Sequence, residues 1–326
     1  MDKSAAKISI RTKGLIKIHN SQFTIYKEIR LSDHKSAVAL GCFDGMHIGH
    51  SKVLSAAFKN NQSAVEKVVF TARNPDKGER PIWLPGEHAR LLEDAGADVW
   101  IAPDFDSIRN FSPEDFAHKI LVDKLRAGRV ACGYNFRFGK QAAGNAATLQ
   151  DLCHACQIEC IVVPEVSLNG QAVSTTAIRG MLTQGDVRKA NAMLGRCYGY
   201  TLPVIEGQKL GRTLGTPTIN QAFGTGDSLL LPRFGVYASR TFIENTWHYS
   251  VTNFGLRPTI GDIQIMNPIS ETWVPDFDGD LYGREIRVEW IKYIRAEEKF
   301  ESLDALREAI FADAQAAKDQ MMRGLK

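Results

Sequence analysis

No run of apolar residues in this sequence approaches the roughly 20 needed to cross a bilayer, which excludes an integral membrane helix. The opening segment, MDKSAAKISIRTKGLIKIHN, carries scattered charges and no apolar h-region, so no secretory signal is expected. A transit-peptide reading rests only on its Lys, Arg and Ser content without Glu, and the cytoplasmic reading is preferred. Charge of one sign is also lacking. The 40 basic and 37 acidic residues leave a formal net charge of +3. That gives no electrostatic footprint for a nucleic acid or an anionic membrane, so neither partner is expected. Cysteine is sparse: Cys42, Cys132, Cys153, Cys156, Cys160 and Cys197 in 326 residues. In a chain of this size they do not form a disulfide framework. The cluster Cys153, Cys156 and Cys160 has no second ligand pair at zinc-site spacing. Its segment reads instead as a helix with Leu149, Leu152, Cys153 and Cys156 on one face. There is no internal repeat and no low-complexity linker.

What is present is ordinary globular composition, 44% hydrophobic and 9% aromatic, in a length comfortable for two domains. The first part alternates strand-like and helix-like patterns. SAVALGCF, VEKVVFTA, ADVWIAP, RVACGYNF and IECIVVPEV are apolar, β-rich runs. Between them lie HSKVLSAAFKN, PGEHARLLEDAG, SPEDFAHKILVDKLRA and NAATLQDLCHACQ. The third of these helices has clear start signals in Ser112, Pro113 and Glu114. Continuous apolar strands separated by helices predict a parallel sheet covered on both faces, an α/β domain whose ligand sits beyond the strands' carboxyl ends. After one more helical stretch, TTAIRGMLTQGDVRKANAML, the pattern changes to short strands without helices until residue 302. That predicts an antiparallel β-barrel closed by a C-terminal helix. A boundary near residues 185–197 divides the chain into 1–187 and 188–326.

The first chemical constellation runs from Gly41 to His50, Gly-Cys-Phe-Asp-Gly-Met-His-Ile-Gly-His, where the first strand of the α/β part meets its first helix. Gly41, Gly45 and Gly49 allow tight turning and close approach to a ligand. A helix N-terminus attracts anions. His47 and His50 are three residues apart, so on a helical turn they face the same way and can donate to phosphate oxygens as charge develops. An ordinary strand–helix turn with two surface histidines would need only part of this string. His-x-Gly-His after a strand resembles the nucleotidylyltransferase superfamily, and Gly-x-Phe-Asp-Gly-x-His-x-Gly-His resembles its flavin-adenylating branch. The resemblance implies a Rossmann-like fold, catalytic His47 and His50, and an ATP site that includes Phe43 and Asp44. It also gives Asn135, Phe136 and Arg137 of the run Gly133 to Gly139 a flavin-binding role. Ser174, Thr175 and Thr176 would close the ATP site, and Arg179 would stabilise the transition state. Alone, the Ser-Thr-Thr run reads as a helix cap.

The second constellation is Gly207 to Asn220, Gly-Gln-Lys-Leu-Gly-Arg-Thr-Leu-Gly-Thr-Pro-Thr-Ile-Asn. As a P-loop it fails, being one residue short, with Arg for Lys and no helix following. It resembles the riboflavin kinase signature, Gly-Arg-x-x-Gly-x-Pro-Thr-x-Asn. The resemblance implies a phosphate-binding flap from Gly207, Gly211, Arg212 and Gly215. It makes Thr218 and Asn220 hard oxygen ligands for Mg²⁺ bridging ATP. Downstream, Asn253 to Thr259 and Glu271-Thr272 extend the match, with Arg257 on the flavin and Glu271 as the base that accepts the proton of the riboflavin 5′-hydroxyl. Without the family, Glu271 reads as a solvated charge. Asp276 to Asp280 imitates a calcium loop but has Gly at its fourth position and Arg287 at its twelfth, so it reads as a turn.

The resemblance spans about residues 36 to 311. It implies a bifunctional riboflavin kinase/FMN adenylyltransferase using riboflavin, FMN and ATP, with FMN and FAD as products. Three departures stand out: Phe70-Thr71-Ala72-Arg73-Asn74-Pro75 where members carry Pro-His-Pro, Leu202-Pro203 where a Gly is usual, and Trp273 where a His often follows Glu-Thr. Two alternatives stay open: a kinase with a weakened adenylyltransferase, or a flavin-binding regulator without catalysis.

Overall fold

The computed structural model describes residues 8–10, 15–18, 23–59, 65–72, 79–207, 215–223, 229–258 and 266–324. The chain forms two compact units. Residues 1–79 and 85–175 make the first, and residues 80–84 and 176–326 make the second.

The first unit is built on one eight-stranded sheet. In chain order its strands are β1 (Ile8–Ile10), β2 (Leu15–Ile18), β3 (Thr24–Tyr26), β4 (Ser36–Leu40), β5 (Glu66–Phe70), β6 (Val99–Ile101), β7 (Ala127–Gly133) and, after a small hairpin, β10 (Glu159–Val163). That hairpin pairs β8 (Arg137–Phe138) with β9 (Gly144–Asn145). The spatial order is β1-β2-β3-β6-β5-β4-β7-β10. From β3 to β10 every neighbour is parallel. β1 and β2 add an antiparallel extension that the sequence patterns do not announce.

β4 is buried at every residue, as a central strand covered on both faces must be. The core beneath it joins Val38, Leu40, Val68, Phe70, Val130 and Cys132 to Leu149 and Cys153 of a helix. That helix is α4 (Ala146–Ala155), and Leu152 and Cys156 pack partly buried against the same core, so the four-residue face expected there is present. The other helices of this unit are α1 (Ile48–Phe58), α2 (Pro85–Asp94) and α3, which starts with one α-turn at Pro113–Asp115 and continues as a π-helix over Phe116–Lys124. Ser112 caps α3 as expected, its Oγ accepting from Asp115 N at 3.0 Å. From β4 the chain steps to β5 and β6 on one side, then returns to β7 and β10 on the other. The strand order therefore reverses between β4 and β7, the position where such sheets open a crevice beyond their carboxyl ends.

A short hairpin of β11 (Ser167–Leu168) and β12 (Gln171–Ala172) follows. The helical stretch read as one element from the sequence is two helices, α5 (Thr175–Gln184) and α6 (Val187–Leu194), with Asp186 capping the second.

The second unit carries a six-stranded antiparallel sheet curled into a half-barrel. Its strands are β13 (Tyr198–Pro203), β14 (Thr218–Ala222), β15 (Gly235–Ile243), β16 (Thr246–Pro258), β17 (Met266–Trp273) and β18 (Glu285–Arg295). Their order is β13-β18-β15-β16-β17-β14. Just past β13, Ile205 N donates to Asn220 O at 2.8 Å, so the curl brings the two edges together. β15 and β16 join through Glu244 and Asn245, both at positive φ, as the tightest hairpin turns require. Inside the curl, Tyr237 stacks on Trp290 at 4.4 Å, and Phe254 lies 5.0 Å from Trp290. The C-terminal helix α7 (Leu303–Gly324) lays Ala314 and Ala317 over Val236, Val251 and Trp273 on the outer face.

Candidate functional sites

In the first unit, β4 hands over to the loop Gly41–Met46 at the sheet's reversal point. Phe43 and Met46 are fully buried, yet both hold left-handed backbone conformations, with φ of 52° and 44°. Such conformations are uncommon for residues with a Cβ and persist where the surroundings over-determine them. The loop ends at His47, which caps α1 with its ring. His47 Nδ1 accepts from His50 N at 3.2 Å. A cap is usually Ser, Thr, Asp or Asn. An imidazole in that place fixes its own tautomer, because an accepting Nδ1 leaves the neutral ring's proton on Nε2.

The His47 and His50 rings stack, with centroids 3.6 Å apart and planes 14° from parallel. Phe43 meets His50 edge-on at 5.2 Å. Burial pushes the His47 imidazole down to about 4. Burial first, then the charges of His47 and His88, pushes His50 well below the ordinary histidine value. Both rings are therefore neutral near pH 7. Nδ1 of His50 is buried and has no hydrogen-bond partner among the described residues.

The glycines around the pair are there for space. A Cβ on Gly49 would come 3.1 Å from His47 Cε1 and Nδ1. One on Gly45 would come 3.2 Å from both His47 Cδ2 and Thr175 Oγ1. Thr175 is thus beside Gly45 and His47. Gly41, half-buried, donates its N–H to Phe70 O at 3.3 Å, and Asp44 is half-buried in the same loop. Ser174 precedes α5. Thr176 and Arg179 group with the second unit, where Arg179 Nη1 donates to Arg80 O. The segment Arg73-Asn74-Pro75 lies outside the described residues.

The loop after the neighbouring β7 lines a pocket of about 360 Å³. Asn135, Phe136 and Arg137, expected at the flavin, all line it. Tyr134, Asn145, Ala146 and Ala147 line it too, and the sequence reading missed them. Their signal was the cap of α4: Asn145 Oδ1 accepts from Thr148 N at 2.9 Å, which sets the first turn of that helix at the pocket wall. Phe136 stacks on Phe138 at 5.7 Å, and Tyr134 Oη donates to Glu165 Oε2 at 2.6 Å.

In the second unit three adjacent strands line up polar residues. On β14, Asn220 stands directly opposite Glu271 of β17, and Glu271 in turn stands opposite Asn253 of β16. Opposed residues share a face, and Thr218, two residues from Asn220, shares it as well. Asn220 is 5% exposed, and its Oδ1 has no hydrogen-bond partner among the described residues. Its Nδ2 donates to Thr218 O at 3.4 Å. The backbone of Gly207 passes so close that a Cβ there would overlap the Asn220 amide. Gly215 holds a left-handed φ of +73°. Gly211, Arg212 and the side chain of Arg257 lie outside the described residues. A buried amide oxygen in need of a partner, beside a threonine, fits a hard cation that prefers oxygen donors. Among the described residues there is no cluster of three or more His, Cys, Asp or Glu that could hold a metal.

Comparisons with known proteins address the two units separately and then together. The family model for FAD synthetase matches residues 29–177, and the one for riboflavin kinase matches residues 194–321. The chain is 32% identical over 302 residues to a bifunctional riboflavin kinase/FMN adenylyltransferase of Bacillus subtilis, covering 89% of this chain and 93% of that one. It is 34% identical to the Haemophilus influenzae protein of the same name, covering 86% and 93%. Among solved structures it resembles one described as a macrolide-efflux protein from Streptococcus pneumoniae, at 26% identity and a TM-score of 0.78, over 91% of this chain and 98% of that one. No helix among the described residues is long and apolar enough to cross a membrane.

Proposed function

This chain belongs to the bifunctional riboflavin kinase/FMN adenylyltransferase family and carries both transfers, and from that premise we propose which residues perform each. The observation that supports the assignment is that each unit brings one set of these side chains together, the stacked His47–His50 pair in the first and the facing Asn220–Glu271 pair in the second. The two activities divide between residues 1–187 and 188–326.

In the second unit, Glu271 accepts the proton of the riboflavin 5′-hydroxyl. That oxygen bonds to the γ-phosphorus of ATP while the bond from the γ-phosphorus to the β–γ bridging oxygen breaks, giving FMN and ADP. Thr218 and Asn220 would hold Mg²⁺, which would supply charge neutralisation for the phosphates. The buried Asn220 Oδ1 supports that role.

In the first unit, FMN sits in the pocket at Asn135, Phe136 and Arg137, the face of Phe136 supporting its ring and Arg137 its phosphate. The FMN phosphate oxygen attacks the α-phosphorus of ATP and pyrophosphate leaves. His47 and His50, neutral and held by the helix start, donate to the phosphate oxygens where negative charge grows. The free backbone N–H groups of α1 add to this. Six free thiols and ATP as donor favour a reducing cytoplasmic setting.

A chromatographic assay with purified protein, riboflavin, ATP and Mg²⁺ tests the assignment when run on two variants. Glu271→Gln is expected to stop FMN formation and to leave conversion of supplied FMN to FAD intact. His50→Ala is expected to do the reverse. Loss of both activities in either folded variant would sink the two-site reading.

A further inference from the structure

The polar row across β14, β17 and β16 does not end at the base. Asn253, opposite Glu271 on the side away from Asn220, has its amide fixed by a residue far along the chain. Asn253 Nδ2 donates to Glu297 Oε1 at 3.0 Å. Glu297 follows β18 and leans over β16 at Gly255, where any Cβ would overlap its carboxylate. An ionised carboxylate only accepts, so Glu297 decides which way the Asn253 amide faces: nitrogen toward Glu297, oxygen away. That oxygen is buried and has no hydrogen-bond partner among the described residues.

With its nitrogen turned to Glu297, the Asn253 amide presents its oxygen, an acceptor, on the other side. ATP phosphates also present acceptors, so that oxygen cannot serve them. The cation is served on the other flank of Glu271, by Thr218 and Asn220. The remaining reactant brings donors in plenty, because the ribityl chain of riboflavin is a row of hydroxyl groups. We propose that Asn253 is a flavin-specificity residue of the kinase site, its Oδ1 accepting a hydrogen bond from the ribityl hydroxyl next to the reacting one, and that Glu297 is the positioning residue that aims it. The proposal rests on Glu271 being the base, since that places the reacting hydroxyl beside Asn253. It assigns a recognition duty to two residues 44 positions apart in sequence.

Steady-state kinase kinetics test it, with riboflavin and 4′-deoxyriboflavin as alternative substrates and ATP and Mg²⁺ varied separately. Asn253→Ala is expected to raise the KM for riboflavin about tenfold while KM for ATP and half-saturation by Mg²⁺ move less than about twofold. Discrimination against the deoxy substrate should shrink by a similar factor. Glu297→Gln, which still offers an acceptor to Nδ2, should stay near wild type, whereas Glu297→Ala should reproduce part of the Asn253→Ala effect. Glu297 is exposed, so its variants keep the readout if Asn253→Ala fails to fold. Unchanged discrimination, or a shift in Mg²⁺ dependence matching the riboflavin KM, would overturn the proposal in favour of a structural or metal role. Failure of the premise looks different: Glu271→Gln would keep its kcat.

Discussion

His47 and His50 lie ring on ring, 3.6 Å between centroids, with the His50 backbone N–H donating into the edge of the His47 ring. Two charged imidazoles could not share that space. The geometry excludes charge on both rings at once and requires a neutral His47, whose Nδ1 accepts, and the burial that lowers His47 to about 4 agrees with it. The free protein should therefore show two histidines still neutral at pH 5.5. An NMR titration of the ring Cε1–H signals, assigned with His47→Gln and His50→Gln, reads this directly. Midpoints near the ordinary 6.5 for both would undo the tautomer argument.

The same burial has a consequence for stability, and its sign is fixed. A histidine whose folded value lies below its unfolded one binds protons more readily when unfolded. The stability contributed by the neutral His47 is fully present above pH 6.5 and declines as pH falls toward about 4, where the loss is complete. For a side chain this buried the loss amounts to roughly 3 kcal/mol at most. His50, also lowered by burial, adds a loss of the same sign as pH falls below 6.5. Urea unfolding at pH 7.5, 6 and 5 should show a shallower pH dependence in His47→Gln than in wild type. An identical slope would mean that His47 does not titrate differently on folding.

Gly49→Ala probes how tightly the pair is held. The added methyl would press on His47 Cε1 and Nδ1 from 3.1 Å, and the ring can yield only by leaving His50 or its cap bond. FAD formation should fall by about tenfold or more, a displacement of under an ångström being enough to spoil aligned donors. FMN formation should be untouched. Equal loss of both activities would point to unfolding rather than to the site.

These residues also show what the sequence could and could not reveal. SAVAL was legible as a buried strand because a centre strand covered on both faces is a continuous apolar run. The string from Gly41 to His50 was legible because its glycines and histidines must be contiguous to build one turn. β1 to β3 were not, because segments of three or four residues are shorter than any window over which periodicity speaks. The π-helical course of Phe116–Lys124 was hidden as well, since its capping residues are those of an ordinary helix. The bond between Asn253 and Glu297 was least legible of all. It joins distant segments and exists only once β16 and the end of β18 are both in place.

The half-barrel offers a last test, one of the fold that carries Glu271. Glu271 faces the outer row, so its neighbour Thr272 faces inward, where polar hydroxyls replace the expected hydrocarbon. Thr252 Oγ1 lies 2.8 Å from both Ser239 Oγ and Thr272 Oγ1, and Ser239 reaches on to Ser250 at 2.8 Å. All four residues are fully buried. Thr252→Val keeps the shape and removes the central hydroxyl, leaving Ser239 and Thr272 each short of one partner. Stranding buried hydroxyls costs about 1–3 kcal/mol. Thermal unfolding of the second unit should shift down accordingly, and the kinase should weaken because Thr272 adjoins Glu271, the proposed base. The double variant Thr252→Val with Thr272→Val should recover part of the loss, since both hydroxyls of that contact are then gone. A double variant that simply adds the two penalties would show that the hydroxyls act independently and not as one network.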